Sequence, residues 1–394
     1  VYVAGSGSRT DVIVMGLGAV GSAAACALAS RGHRVIGFDR WSPPHALGST
    51  HGESRVTRES AWEGADYVPL VRRANELWRE LERESGVADG TLFLRNGGLF
   101  AAAPGSSFIV DSKASADAHR VPYEIIDAGE MRARWPVFEP ADDMIGFVDD
   151  HAGVLFPEPI LRAQHALARR HGAELHLDEA IESWATDGEG VRVTTARAQY
   201  HASRLIVCTG AWMPAVLAPL GVELRIERNT LHWIAAKAGA PPMDPARFPV
   251  LIVSEDGAHA TAVFPSIAGA IKLAAHHSQA FTTAGTIDRS ISRRDIEPVT
   301  RIAQRFIPRA AGEWLRGAAC MYTDTPHGQF ILDRHPAHAQ VVLGSPCNGF
   351  GFKFSAATGE ALAMLALGEA PPVPVESWSL AAARPTADSP ARRS

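Results

Sequence analysis

Lysine is nearly missing from this chain. Of 38 basic residues only four are lysines, Lys113, Lys237, Lys272 and Lys353, so arginine carries almost every surface charge. Two of the four stand in apolar stretches, Ile271-Lys272-Leu273 and Phe352-Lys353-Phe354. An ammonium is a compact point charge whose pKa moves readily on burial, which a guanidinium does not allow, so these two lysines are candidates for a chemical role. Cysteine is equally sparse, and four residues exclude a disulfide scaffold. No apolar run is long enough to span a bilayer as a helix, which argues against a membrane protein. A net charge of −5 gives no footing for nucleic acid or for an anionic membrane surface. The chain does not open on a charged stretch followed by an apolar core and a cleavage site, so the expected location is the cytoplasm.

What is present fits an ordinary globular enzyme. The 394 residues, 46% hydrophobic and 21% charged, suggest two or three structural domains. Residues 1–10, with Gly5-Ser6-Gly7-Ser8, read as a flexible leader. The Ala-, Arg-, Pro- and Ser-rich tail from about Ala381, including 386–394, reads as a second flexible end.

The most specific local pattern lies near the N-terminus. Asp11-Val12-Ile13-Val14-Met15 suits a buried parallel strand. Gly16-Leu17-Gly18-Ala19-Val20-Gly21 follows at once, then an Ala-rich helix from Ser22 to Arg31 that Gly32 stops. A second strand, Arg34 to Phe38, ends in Asp39. The order of these parts is that of a dinucleotide site: Gly16 for the tight turn, Gly18 for the approach of a pyrophosphate, Gly21 for helix–strand packing, and Asp39 for a ribose hydroxyl. The helix N-terminus offers free N–H groups and partial positive charge to the phosphates. The fingerprint does not separate FAD from NAD, although an acid at Asp39 argues against NADP. A later strand, Arg204-Leu205-Ile206-Val207-Cys208, runs into Thr209-Gly210-Ala211-Trp212 after a β-rich stretch, 180–195. A two-domain flavoprotein returns to its nucleotide domain at such a distance, which favours FAD.

Several motifs together are highly specific. They are GLGAVG at 16–21, Ser49-Thr50-His51-Gly52-Glu53-Ser54-Arg55 with Arg58, Tyr67-Val68-Pro69-Leu70, Arg134-Trp135-Pro136, Gly153-Val154-Leu155-Phe156, Lys272 with His276, Cys320-Met321-Tyr322-Thr323, and Gly351-Phe352-Lys353-Phe354-Ser355. On these the chain resembles the monomeric sarcosine oxidase family, with N-methyltryptophan oxidase and L-pipecolate oxidase as relatives, over roughly 11–385. The resemblance implies an α/β protein, α+β overall: a Rossmann-type FAD-binding domain from 11–85, 150–222 and 318–385, and a discontinuous substrate domain on a mixed sheet from 86–149 and 223–317. It implies a monomer. It implies FAD attached through a thioether from Cys320 to the 8α carbon of the flavin. His51 and Arg55 would lie near the flavin ring, where positive charge favours the reduced anion. Arg58 and Lys353 would pair with a substrate carboxylate. Lys272 would lie over the opposite flavin face and promote reaction with dioxygen, since a buried ammonium stabilises superoxide. His276 and Tyr322 would line the active site.

Two positions depart from the family pattern. Phe350, in Asn348-Gly349-Phe350-Gly351, replaces a histidine that would face the substrate, and Ala262, in Thr261-Ala262-Val263-Phe264-Pro265, falls where sarcosine-using relatives have tyrosine. One change opens volume and the other adds an apolar wall, while both carboxylate partners are kept. The expected reaction is therefore FAD-dependent oxidation of the C–N bond of a secondary or cyclic α-amino acid larger or more apolar than sarcosine. An imine and hydrogen peroxide would form. The alternatives are a flavin dehydrogenase with another electron acceptor, or a flavin-binding protein with a silent site.

Overall fold

The computed structural model describes residues 10–257 and 259–384. An eight-stranded sheet is centred on the strand Thr10–Met15, which pairs in parallel with Val35–Phe38 on one side and Gln199–Val207 on the other. Glu174–His176 extends it in parallel beyond Val35–Phe38, and His338–Gly344 runs parallel to Gln199–Val207. Val12, Ile13 and Val14 are fully buried, as a central strand covered on both faces requires. The helix Ala19–Ser30 covers one face and packs against the equally Ala-rich helix Ser355–Leu367. Small side chains let the two backbones close up: a Cβ on Gly359 would sit 2.5 Å from that of Ala23.

The second sheet has nine strands and is mixed. Val250–Ser254 runs parallel to Gly98–Ala102, and the other pairings are antiparallel. Its longest members, Arg225–Ala236 and Ala311–Asp324, pair along most of their length. The expected domain boundary between 317 and 318 falls inside the second of these strands. A small three-stranded sheet, Arg55–Thr57, Gly153–Leu155 and Phe93–Leu94, lies apart from both.

Register decides which side chains meet. Residues directly opposite in an antiparallel pair share a face, and alternation keeps every second residue on it. Ala262 stands opposite Ala274, Trp233 opposite Lys272, Asn229 opposite Cys320, and Glu227 opposite Tyr322. Ala262, Lys272, Cys320 and Tyr322 therefore project from one face of the nine-stranded sheet.

The two expected flexible ends are shorter than composition suggested. Thr10 opens the first strand, its hydroxyl donating to the Arg34 carbonyl at 2.8 Å. Leu380–Ala383 is a short helix with Leu380 and Ala383 buried against the eight-stranded sheet and the Ser379 side chain as cap. Two buried apolar contacts order a segment whose composition alone reads as disordered. The rest of both expected ends lies outside the described residues. Among the described residues, no helix is long and apolar enough to cross a membrane.

Candidate active site

The glycine turn is built as its spacing predicts. Gly16 has φ +96°, and a Cβ there would lie 2.5 Å from the Cys208 carbonyl oxygen. A Cβ on Gly21 would meet the Gly16 carbonyl oxygen at 1.8 Å, so the first turn of the helix can close on the strand end only over glycine. Gly18 differs: the nearest atom to a Cβ there is Thr50 Oγ1 at 3.6 Å. Gly18 caps the helix with no side chain of its own, and of the first-turn N–H groups that of Ala19 donates to Thr50 Oγ1 at 3.3 Å. A cavity of about 410 Å3 borders Gly16, Gly18 and Asp39 and continues to Arg55, Cys320 and Tyr322. Asp39 holds the turn from beside it, accepting from Leu17 N at 2.8 Å and Trp41 N at 3.0 Å. An open backbone cradle at a glycine-capped helix start, in a cavity that continues to the cysteine, fits a dinucleotide.

The loop 49–55 meets the nine-stranded sheet on the face defined above. The buried Cys320 thiol points at the Ser49 carbonyl oxygen, 3.6 Å away, with Arg55 Nη2 at 3.8 Å from the sulfur. Arg55 donates in turn to the carbonyls of Ser49 and Ser54, at 2.9 and 2.8 Å. Lys272 Nζ donates to the carbonyls of Gly52 and Ser54, both at 2.6 Å. Burial drives the Lys272 pKa well below its ordinary value and the Arg55 charge pushes the same way, opposed by Cys320, Glu158 and Glu53. His51 is also buried, and burial followed by Arg55 and Lys272 holds its pKa at about 3. Burial and the two neighbouring cations thus work against the positive charge expected of His51, whose Nε2 is buried and unpartnered.

The second group of cations carries a surprise of pairing. Arg58 and Lys353 do come together, but around a carboxylate of the chain itself. Glu63 Oε1 accepts from Arg58 Nη2 at 2.8 Å and from Lys353 Nζ at 2.6 Å. All three side chains are at most 5% exposed, and the second oxygen of Glu63 is buried without a partner. Burial raises the Glu63 pKa, yet Arg58 and Lys353 outweigh it and hold the group at about 2. Lys353 is pulled down to about 7 by burial and the Arg58 charge, against the lift from Glu63. Arg58 also lies over the Trp62 ring, 3.3 Å from its centroid.

His276 and Tyr322 are joined, Nδ1 to hydroxyl at 3.3 Å. Burial, then neighbouring His277, takes the His276 pKa to about 3, and burial pushes the Tyr322 hydroxyl far up, so both are neutral. Gly349, at φ +73°, closes the loop onto them: a Cβ there would lie 2.5 Å from the Tyr322 ring and 2.9 Å from His276. Phe350 follows, packed edge-on to Tyr67 at 5.8 Å and against Phe330 at 5.4 Å, with Lys353 Nζ 5.4 Å from its ring centroid. Ala262 is half-buried on the sheet face that carries Lys272.

Three sets of residues escaped the sequence reading. Glu63 is one and Glu158, described below, another. The third is Glu227 with His277 and Asp324, whose polar atoms lie within 4.8 Å of one another beside Tyr322. Glu227 accepts from His277 Nδ1 at 2.8 Å, and burial raises the Asp324 carboxyl to about 7.

Known proteins resemble this chain over most of its length. The FAD dependent oxidoreductase family matches residues 11–365. A monomeric sarcosine oxidase of Streptomyces avermitilis is 40% identical over 91% of this chain and 93% of its own. An N-methyl-L-tryptophan oxidase of Yersinia pestis is 31% identical over 94% of this chain and 98% of its own. Among solved structures, NikD, an unusual amino acid oxidase of nikkomycin biosynthesis, superposes with a TM-score of 0.81 at 22% identity, covering 98% of this chain and 100% of its own. The L-proline dehydrogenase of P. horikoshii gives 0.80 at 19%, over 95% and 97%. The chain belongs to the family of FAD-dependent oxidoreductases and, within it, to the amine oxidases that include monomeric sarcosine oxidase and N-methyl-L-tryptophan oxidase.

Proposed function

We propose that this protein oxidises a secondary or cyclic α-amino acid, bulkier or more apolar than sarcosine, to its imine, with hydrogen peroxide as the second product. The observation that carries the proposal is the convergence of two buried cations, Arg58 and Lys353, on a single carboxylate oxygen of Glu63. Buried cations demand an anion, and a carboxylate is the shape this pair accepts. A substrate carboxylate takes that place when Glu63 yields it.

FAD, held along the Gly16–Gly21 turn and out to Cys320, would supply two-electron redox chemistry, with dioxygen as the final acceptor. The chain does the rest. Arg58 and Lys353 fix the substrate's acid end. His276 and Tyr322, both uncharged, leave the amine free to lose its proton, because neither adds a charge that would hold it. Phe350 gives the pocket an apolar wall, and Ala262 leaves room where a larger side chain would stand. Arg55 and Lys272 bring positive charge to the site in place of His51, and Lys272 is the point charge for oxygen. Cys320, at the cavity's edge beside Arg55, is the attachment point for the flavin.

The same proposal assigns 11–85, 150–222 and the C-terminal segment to a nucleotide domain and 86–149 and 223–317 to a substrate domain. The strand Ala311–Asp324 moves whole into the latter because it pairs along the strand Arg225–Ala236. The enzyme works as a monomer, as the name of its sarcosine-oxidising relatives says of them.

Anaerobic mixing of the purified holoprotein with single amines tests this through bleaching of the flavin absorbance. The panel holds sarcosine, pipecolate, proline, N-methyltryptophan, primary amino acids and amines without a carboxylate. Faster bleaching by the larger secondary amino acids than by sarcosine is expected. Equal bleaching by amines lacking a carboxylate would overturn the assignment of Arg58 and Lys353, and preference for sarcosine would overturn the enlarged pocket.

A further inference from the structure

The loop 52–54 is held in a costly shape by two charges from opposite sides. Gly52 has φ +96° and Glu53 has φ +68°, two consecutive residues in left-handed conformations that an ordinary side chain adopts rarely. A Cβ at Gly52 would be strained by its φ and would also lie 2.3 Å from Leu231 Cδ1, which would have to shift. Such a bend turns successive N–H groups inward to form an anion-binding concavity. The anion here is Glu158. Its Oε1 accepts from Gly52 N at 2.7 Å, and both its oxygens accept from Glu53 N at 3.1 Å. Glu158 stands in the first turn of the helix Pro157–Arg170, where the helix dipole favours a negative charge.

With the N–H groups drawn to Glu158, the carbonyls turn the other way. Those of Gly52 and Ser54 both accept from Lys272 Nζ at 2.6 Å. The Glu53 side chain anchors the bend to the nine-stranded sheet, accepting from Trp233 Nε1 at 2.8 Å and pairing with Arg316, whose guanidinium lies 3.8 Å from the Trp233 ring centroid. Trp233 is the residue opposite Lys272 in the sheet register. The loop is thus tied to the helix by one carboxylate, and by another to Arg225–Ala236, the strand that pairs with that of Lys272, and to Ala311–Asp324 beyond it.

We propose that Glu158 is a positioning residue for Lys272: by holding the N–H groups of Gly52 and Glu53 it aims two carbonyl oxygens at the buried ammonium and so keeps that lysine oriented and charged. This rests on reading Lys272 as the point charge for oxygen, and it names the device that holds it. The groups facing the ammonium are Arg55 and His51 from the loop and its strand, Cys320 from two strands away in the sheet, and Glu53 and Glu158; only the last two bring full negative charge. Glu158 and the two carbonyls it orders counter the burial and the Arg55 charge that favour a neutral amine.

The scarcity of lysine makes the test direct. With four lysines in the chain, a lysine-selective isotope label gives four side-chain signals, and K272M identifies one of them. In E158Q holoprotein the pH midpoint of the Lys272 signal is expected to fall by about half a unit or more. E158D, with the charge kept on a shorter arm, should recover part of that shift. Reaction of the reduced enzyme with oxygen should slow about tenfold in E158Q, while anaerobic bleaching by substrate changes less than about twofold. A folded, fully flavinylated E158Q with an unmoved Lys272 titration overturns the proposal, as does an E158D that behaves worse than E158Q. Should E158Q fail to fold, E158D carries the test alone, and an unmoved Lys272 midpoint there is the refuting result. If K272M leaves the oxygen reaction unchanged while E158Q still shifts the Lys272 signal, the oxygen role is lost and the positioning role stands.

Discussion

Glutamine at position 63 separates two things that glutamate does at once: it neutralises two buried cations, and it occupies the place of a substrate carboxylate. E63Q keeps the side-chain shape and removes the charge. Arg58 keeps its proton at any working pH, so it is left buried without its ion-pair partner, beside the Ser60 carbonyl, the Trp62 and Phe100 rings and the Asp149 charge. Breaking a buried pair by removing one partner costs about 3 to 5 kcal/mol. The lower end applies here, because Lys353 already has a pKa of about 7 and sheds its proton once Glu63 no longer lifts it. We therefore expect a loss of about 3 kcal/mol in the ligand-free protein.

Ligand binding should move in the opposite direction. In the wild type an arriving carboxylate competes with Glu63 for the same two donors; in E63Q it restores the missing charge. If half of the lost 3 kcal/mol returns on binding, affinity for a carboxylate-bearing inhibitor rises about tenfold, the equivalent of about 1.4 kcal/mol. Its decarboxylated analogue should bind both proteins alike. The assay is titration of the flavin absorbance with each inhibitor, alongside thermal unfolding with and without ligand. A folded E63Q that binds the carboxylate more weakly than wild type would falsify the argument, since Glu63 would then be helping to hold the substrate and not standing in for it.

Other outcomes follow from the same charges. Because Lys353 is half-neutral near pH 7, a carboxylate ligand must bring a proton to it above that pH; affinity should fall by up to about tenfold per unit as pH rises through 8, and K353M should abolish the slope. The Asp324 carboxyl, raised by burial to about 7, keeps a proton that the unfolded chain releases near its ordinary value of 3.8. Its stabilising contribution is complete below pH 3.8 and lost as pH rises toward 7; D324N should flatten that decline in chemical-denaturation midpoints. C320A removes one small buried side chain and should fold and bind FAD, but the flavin should then separate from the chain on a denaturing gel; an apoprotein that cannot fold would show that the attachment builds the site. F350H returns a polar group to the wall beside Lys353, and relative kcat/KM should move toward sarcosine by about tenfold; an unchanged ranking would remove Phe350 from the specificity argument.

Much of this site was legible in the sequence, for reasons that differ from residue to residue. The turn at 16–21 could be read because its constraint is local: Gly16 and Gly21 collide with their own turn and with Cys208 unless both lack a Cβ. Lys272 and Lys353 stood out because the chain otherwise avoids lysine, and both proved to be buried. The charge of His51 was not legible, since a histidine near two cations is neutral or charged according to how much water reaches it, and burial is a tertiary property. The boundary at 317/318 had no mark either, because the strand Ala311–Asp324 runs through it without any change of residue type. Glu63 and Glu158 are the most instructive misses. Glutamate is an ordinary surface residue, and Glu63 meets Lys353 across 290 positions, Glu158 meets Gly52 across 106. Nothing local announces such a partner. Yet the cations did imply it: two basic residues placed in an apolar interior require compensation that the chain must supply when no substrate is bound. A sequence that buries lysine therefore predicts a hidden carboxylate, and only the fold says which of the acids it is.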